Sequence, residues 1–387
     1  MNLSYFIAKR LSFKGKLASI AIALSFFIII IAVAISSGFR SGIREGISDI
    51  SGDIQILPFN LNVLDETNPI ERNPTYLDFI KEHRAVEDVT PVVYRAGIIK
   101  AEDKIHGVLF KGSPNKDSVQ LGASIPRRLA DILELEVGDD LLSYFVGKRL
   151  RARKFRITSI YNGLVELDDK LIIHANIEDI QRINSWEENE ISAFHLKVKD
   201  NYKSPEALNN LCQEIGVMTA SLSSEDEMEV IVKSSVSEYP QIFDWLNLID
   251  FNVVFILILM IIVAGFNMIS GLLILLFENI STIGVLKSMG MKNREIAKVF
   301  LTTSSFLILR GMVIGNILAF ILCFIQAKTH IISLNPSHYL LSYIPIELDI
   351  VKILIADVMV YFTILLLLLI PSRFISSVDP AQTIRIK

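Results

Sequence analysis

Two ionisable side chains stand inside stretches otherwise apolar enough to cross a membrane. Arg310 lies about 11 residues, roughly 16 Å, into one such run, and Asp357 about 13 residues, roughly 20 Å, into another, counted from the same side. Asn267 stands at a similar depth in a third. An unpaired charge at mid-bilayer costs on the order of 3 kcal/mol or more. The sequence therefore predicts that Arg310 pairs with Asp357, or that Arg310 meets an acidic cargo or a lipid headgroup. A guanidinium that snorkels to water is the plain alternative. A second feature is the segment Glu278-Asn-Ile-Ser-Thr-Ile-Gly-Val-Leu-Lys-Ser-Met-Gly290, wedged between two apolar runs. It is too short to fold as a domain. Ile283 and Leu286 share a helical face, and Gly284 and Gly290 allow a turn or a close backbone approach. Glu278, Ile283, Gly284, Leu286, Lys287 and Gly290 are read as residues that press into a groove on another protein. A helix lying on lipid has the same pattern. Gly311, Gly315 and Ala319 repeat a small residue every fourth position, a stripe that permits close helix packing inside the chain or across a dimer.

Catalytic signatures are missing. No G-x-x-x-x-G-K-[ST] loop occurs, because Gly15-Lys16 and Gly147-Lys148 lack the upstream glycine at the required spacing. There is no H-E-x-x-H site and no G-x-S-x-G elbow. None of the six histidines pairs with another at ligand spacing, so His174 and His195 are expected in the core or on the surface, and no metal is expected. Cys212 and Cys323 fall in different compartments, which excludes a disulfide between them. The chain is therefore not expected to be an enzyme.

The elements that must position these residues follow from hydropathy. The 387 residues are 51% hydrophobic and 21% charged, too apolar for a soluble protein and too charged for one wholly in lipid. Mean hydropathy is +0.46. A net charge of −4 gives no footprint for nucleic acid. Four runs are long enough to span a bilayer, at about Leu17–Ser37, Phe251–Phe277, Val299–Ile325 and Val351–Ile370. The basic flanks Lys9, Arg10, Lys14 and Lys16, then Lys287, Lys292, Arg294 and Lys298, then Arg373, Arg385 and Lys387, put both termini and the Glu278 segment in the cytoplasm. Arg40 and Arg44 argue the other way but are outnumbered. Ala32-Val33-Ala34 resembles a signal cleavage site, but the run is long for a signal, and an uncleaved anchor is expected.

The expected fold is thus four transmembrane helices with a large mixed α/β extracytoplasmic domain inserted between helices 1 and 2. Residues 1–44 form the cytoplasmic N-terminus and helix 1, 45–245 the external domain, and 246–277 helix 2. Residues 278–298 form the cytoplasmic segment, 299–371 helices 3 and 4 with a short external loop, and 372–387 the cytoplasmic C-terminus. Within the domain, strands are predicted at Asp53–Leu57, Val92–Lys100, Ile105–Lys111, Lys154–Tyr161, Lys170–His174 and Ile191–Val198. Helices are predicted at Pro126–Leu135, Asn176–Ile183, Pro205–Ile215 and Ser224–Ser237, with Asn176, Ser204 and Ser224 as N-caps.

At this level the chain resembles the permease subunit of lipoprotein-releasing (Lol-type) ABC transporters, within the macrolide-efflux and cell-division permease superfamily. The likeness rests on Phe6-Ile-Ala-Lys-Arg10 with Gly38-Phe39, on Ile125 to Asp139, on Lys154–Tyr161 followed by Ala175 to Gln181, on Ala264-Gly-Phe-Asn-Met-Ile-Ser-Gly271 through Gly290, and on Pro371 to Pro380. The resemblance implies a dimeric permease, homo- or heteromeric, in the bacterial inner membrane, with two copies of a separate ATPase that binds ATP and Mg. It makes Glu278–Gly290 the coupling segment and the external domain periplasmic. The cargo implied is a lipoprotein, extracted from the inner membrane for outer-membrane targeting and passed to a periplasmic carrier. Ser25, Phe26, Phe27, Ile30, Phe255 and Leu259 are then candidate linings for its acyl chains. One departure stands out: where the family's carrier-docking permease has an extended hairpin, this chain has the short basic run Tyr144–Lys154. That run fits a charged strand edge or a contact with an acidic partner or lipid headgroups. It keeps two other readings open, activation of a periplasmic hydrolase and efflux of a small amphiphile.

Overall fold

A computed structural model describes residues 16–64, 68–101, 104–114, 119–147, 150–163, 171–224, 227–334 and 339–372. The flanks Phe6–Arg10 and Arg373–Lys387, the loop residues Asn335 and Pro336, Lys170, and Lys148 and Arg149 of the basic run lie outside them. The chain divides into two compact units. One comprises Met1–Ser41, Trp245–Ser333 and Tyr343–Lys387, and the other Gly42–Asp244 with Leu334–Ser342.

The described elements run α1 (Lys16–Ser51), β1 (Ile54–Pro58), β2 (Ile70–Glu71), α2 (Leu77–Lys81), β3 (Val86–Ala101), β4 (Lys104–Ser113), β5 (Gly122–Pro126), α3 (Arg127–Leu133), β6 (Asp140–Phe145), β7 (Arg151–Tyr161) and β8 (Ile172–Asn176). They continue through α4 (Ile177–Asn184), β9 (Glu190–Ile191), β10 (Ala193–Val198), α5 (Pro205–Leu222), β11 (Val230–Ser234), α6 (Ser235–Glu238), α7 (Pro240–Glu278), α8 (Ile280–Ser288), α9 (Asn293–Thr329), α10 (Ile350–Leu367) and α11 (Leu369–Ser372).

In the α/β unit a nine-stranded sheet runs β11-β1-β10-β3-β4-β8-β5-β7-β6. The 16-residue β3 does two jobs. Its first half pairs antiparallel with β10, Val92 opposite Ala193. Its second half pairs with β4, and Ile98 and Ile99 pair with Tyr144 and Ser143 of β6. That last pairing closes β3, β4, β8, β5, β7 and β6 into a ring, which leaves no free edge there. Phe110, Phe145 and Phe155 fill the ring, fully buried, with centroids 4.9–6.4 Å apart. Asn176 and Ser204 cap α4 and α5 as expected, accepting from the N–H of Glu178 at 3.3 Å and of Ala207 at 3.2 Å.

One sequence expectation fails in this unit. The helix predicted at Ser224–Ser237 is instead β11 followed by α6. The β-branched Val230, Ile231 and Val232 pair with β1, Leu57 opposite Ile231, and burial on a sheet outweighs helix propensity. Ser224 therefore caps no helix; Ser234 caps α6, accepting from the N–H of Ser237 at 3.1 Å. The described strands that flank the basic run, β6 and β7, pair antiparallel, Phe145 opposite Arg151. Lys154 pairs with Asp140 at 2.7 Å, and Arg151 donates to the carbonyl of Ile183 and, at 2.7 Å, to the Ser185 hydroxyl.

The four helices α1, α7, α9 and α10 are long and apolar enough to cross a membrane. Their packed faces form a core of Ile22, Phe26, Ile29, Met268, Leu272, Phe300, Ile308, Val360 and Ile364.

Candidate functional site: the coupling segment and the membrane interior

Within Glu278–Gly290, Ile280–Ser288 folds as the nine-residue helix α8 between α7 and α9. Its end is a Schellman motif: the N–H of Gly290 reaches the carbonyl of Lys287 and the N–H of Met291 that of Leu286, both at 3.0 Å. Gly290 has φ +88°, a conformation that favours glycine. Its next turn begins α9, where the Glu295 carboxylate accepts from the Lys292 N–H at 3.3 Å.

The facing of α8 differs from the sequence expectation. Ile283 and Gly284 are buried, and Ile283 packs in one cluster with Leu272, Leu275, Ile296 and Phe300, with half-buried Leu286 against it. These residues pack α8 against its own bundle. The outward face carries Ser281, Thr282, Val285 and Met289, flanked by exposed Glu278 and Gly290, with Lys287 half-buried. The spacing of Ile283 and Leu286 identified one face correctly but could not say whether it turned inward.

The small-residue stripe is an intrachain contact. A Cβ on Gly311 would sit 2.7 Å from Ile22 Cγ2, and one on Gly315 2.4 Å from the carbonyl oxygen of Ala23. Ala319, fully buried, clusters with Ile30 and Ile353. Buried positions on α9 recur at Ile308, Gly311, Gly315, Ala319 and Cys323, the three- and four-residue spacing of one helix face. Phe26 and Ile30 belong to this same contact and are buried, as is Ser25, which donates to the carbonyl of Ala21 at 3.0 Å. Phe27 is half-buried, whereas Phe255 and Leu259 are exposed on α7.

Asp357 does not pair with Arg310. Its Oδ2 accepts from Asn316 Nδ2 at 2.6 Å, and the residue is only 6% exposed. Arg310 is exposed on another face of α9. The geometry is helical: Arg310 and Asn316, six residues apart, point about 120° away from each other, and the second is the one that meets α10. Ser305 bonds Tyr361 at 2.6 Å, a further polar link between α9 and α10. Asn267 is half-buried on α7.

Several ties at one end of the bundle had no sequence signal. Asp250 accepts from Ser36 Oγ at 2.7 Å and pairs with Arg40. Phe39 stacks edge-on against Trp245 with centroids 6.0 Å apart. A Cβ on Gly38 would fall 2.3 Å from the carbonyl oxygen of Pro345, so only glycine fits there. Arg40, which opposes the charge rule, is thus neutralised locally.

In the α/β unit, adjacent strands carry Gln55, His195, Tyr94, Lys111 and His174. The Tyr94 hydroxyl lies 2.5 Å from His195 Nε2, and Gln55 Nε2 3.5 Å from the same atom. Lys111 Nζ donates to the carbonyls of Asp49 at 2.6 Å and Ile50 at 3.0 Å, at the end of α1 where Gly52 turns with φ +73°. Burial pushes Lys111 down to about 8, against partial compensation from the Asp49 carboxylate. Burial, then the Lys111 cation, pushes His174 down to about 4 and His195 well below the ordinary imidazole range.

Residues 254–380 match the family model described as FtsX-like permease C-terminal. The chain carries an FtsX-like permease domain. That domain holds α8, α9, α10 and most of α7, and the chain is a multi-pass membrane protein with the role of a permease, not of the ATPase. The whole chain, 100% of it, is similar to the lipoprotein-releasing system transmembrane protein LolC of Neisseria meningitidis serogroup B, 22% identical over 426 residues and 98% of that protein. It is also similar to LolE of Haemophilus influenzae, 21% identical over 404 residues, 96% of this chain and 94% of that protein. Among solved structures, the periplasmic region of MacB from Actinobacillus actinomycetemcomitans is 12% identical, covering 50% of this chain and 95% of that one, with a TM-score of 0.32.

Proposed function

We propose that this permease subunit works with a cytoplasmic ABC ATPase, present in two copies that bind ATP and Mg, and with a second permease subunit. The work proposed is extraction of lipoproteins from the inner membrane. The observation that carries the reading is the end-to-end similarity to relatives named for lipoprotein release, which spans the α/β unit as well as the permease domain.

In this reading the termini and α8 face the cytoplasm and the α/β unit faces the periplasm. Nucleotide-driven closure of the ATPases pushes the outward face of α8, at Thr282, Val285 and Met289. The push is transmitted because Ile283 and Leu286 are packed against Leu275, Ile296 and Phe300, and a close-packed interior has few voids to absorb a displacement. The permease thus supplies a two-state element biased by nucleotide, with no catalytic residue of its own. Phe255 and Leu259, exposed on α7, are the acyl-facing residues of this reading. A periplasmic carrier receives the cargo.

The test is to purify the full chain with its co-expressed ATPase, measure ATP turnover, and identify bound acylated proteins by intact-mass spectrometry. Val285→Arg and Met289→Arg should cut ATPase recovery severalfold and leave the folded chain intact. Gly284→Trp is unsuitable, since Gly284 is buried. Bound lipoproteins support release. An ATPase without lipoproteins, or with a periplasmic hydrolase in their place, would overturn release and leave only the permease role.

A further inference from the structure

Arg310 lies near the middle of α9, a 37-residue helix. Its neighbours one or two turns away on the same face, Phe306, Val313, Ile314 and Ile317, are apolar and exposed. Three other deep polar groups find partners inside the chain: Asn316 with Asp357, Ser305 with Tyr361, and Ser25 with the Ala21 carbonyl. Among the described residues Arg310 has none. Lipid tails offer no acceptor for five N–H donors. From the middle of a hydrocarbon core about 30 Å thick, an extended arginine does not reach the headgroups.

A second copy of this chain does not supply the missing anion. The one carboxylate deep in the described membrane helices is Asp357, which is 6% exposed and bonded to Asn316. Around a two-fold axis the same patch meets itself, so an Arg310 face would set cation near cation. We infer that Arg310 docks a non-identical transmembrane subunit that carries an aspartate or glutamate at mid-bilayer depth. A bidentate guanidinium–carboxylate pair fixes both register and partner choice. The apolar residues around Arg310 form the rest of the contact. The inference deepens the permease reading above by naming what distinguishes the second subunit.

A photoreactive phenylalanine at Ile314, in the full chain co-expressed with its membrane partners, tests this. The expected adduct is a peptide from a different membrane protein with an acidic residue inside a transmembrane run. Arg310→Leu and Arg310→Glu should each lower recovery of that protein by on the order of tenfold or more, with Arg310→Lys retaining most of it. Exchanging the charges between the two chains should restore it. An adduct to a second copy of this chain, an adduct to lipid alone, or unchanged recovery with Arg310→Leu overturns the inference. The tryptic digestion pattern of each variant guards against misfolding. Loss of the ATPase from the preparation would break the permease reading itself, whereas an ATPase present with a lipid-only adduct breaks this inference alone.

Discussion

The α/β unit and the membrane unit each bury an ionisable side chain and satisfy it in different ways. Lys111 donates hydrogen bonds to two backbone carbonyls at the end of α1, groups that a helix terminus leaves unpaired. Asp357 is held by one side-chain amide, because a helical bundle spends its backbone groups within its own helices. Among the described residues Arg310 has neither kind of partner. Where backbone is irregular, a buried charge finds a partner close by and becomes part of the fold. Where the backbone is all helix, a charge needs a side chain at the right rotation, and one that lacks it points to something outside the chain.

The membrane side of this contrast breaks most easily at the helix contact. Gly315→Leu drives a side chain into the Ala23 carbonyl and Phe26, and should cost about 3 kcal/mol or more, read as a lower melting temperature of the detergent-solubilised protein. Gly311→Ala should cost less than Gly315→Leu, because it adds a single methyl, against Ile22 Cγ2 at 2.7 Å. Lys111→Met keeps the bulk and removes the donor to the Asp49 and Ile50 carbonyls. A loss of about 2 kcal/mol in denaturant unfolding is expected, against little change if the carbonyls were already wet.

The pH dependence sharpens the α/β side. His174, at about 4 in the fold against 6.5, binds its proton more tightly in the unfolded chain. Stability is therefore complete above pH 6.5 and falls as pH drops toward 4, by about 3 kcal/mol at most. His195 acts in the same sense. His174→Phe should flatten that acid limb in thermal melts across pH. Lys111, at about 8, adds a rise in stability from pH 8 to 10. The smallest effect expected is Ser36→Ala, which removes one hydrogen bond to Asp250 and should cost about 1 kcal/mol.

Local signals made much of the architecture legible. Long apolar runs gave α1, α7, α9 and α10, because crossing a bilayer demands them. Alternating β-branched residues gave most strands, and Asn176 and Ser204 gave their helix starts through one short-range bond each. Ser224–Ser237 was misread because a β-branched run next to acidic residues suits helix or strand until its neighbour is known, and β1 decided it. The closure of β3 onto β6 had no signal at all, since pairing residues 98 and 144 depends on the whole ring between them.

The sequence by itself determined which residues are polar in an apolar setting: Arg310, Asp357, Asn267 and the small stripe at Gly311, Gly315 and Ala319. Only the tertiary structure decided what each one faces. A side chain's direction turns by about 100° per residue, and the rotation of a helix is set by every contact along it. That rotation put Asn316 and not Arg310 against Asp357, turned Ile283 inward to hold α8, and seated Gly315 on Ala23.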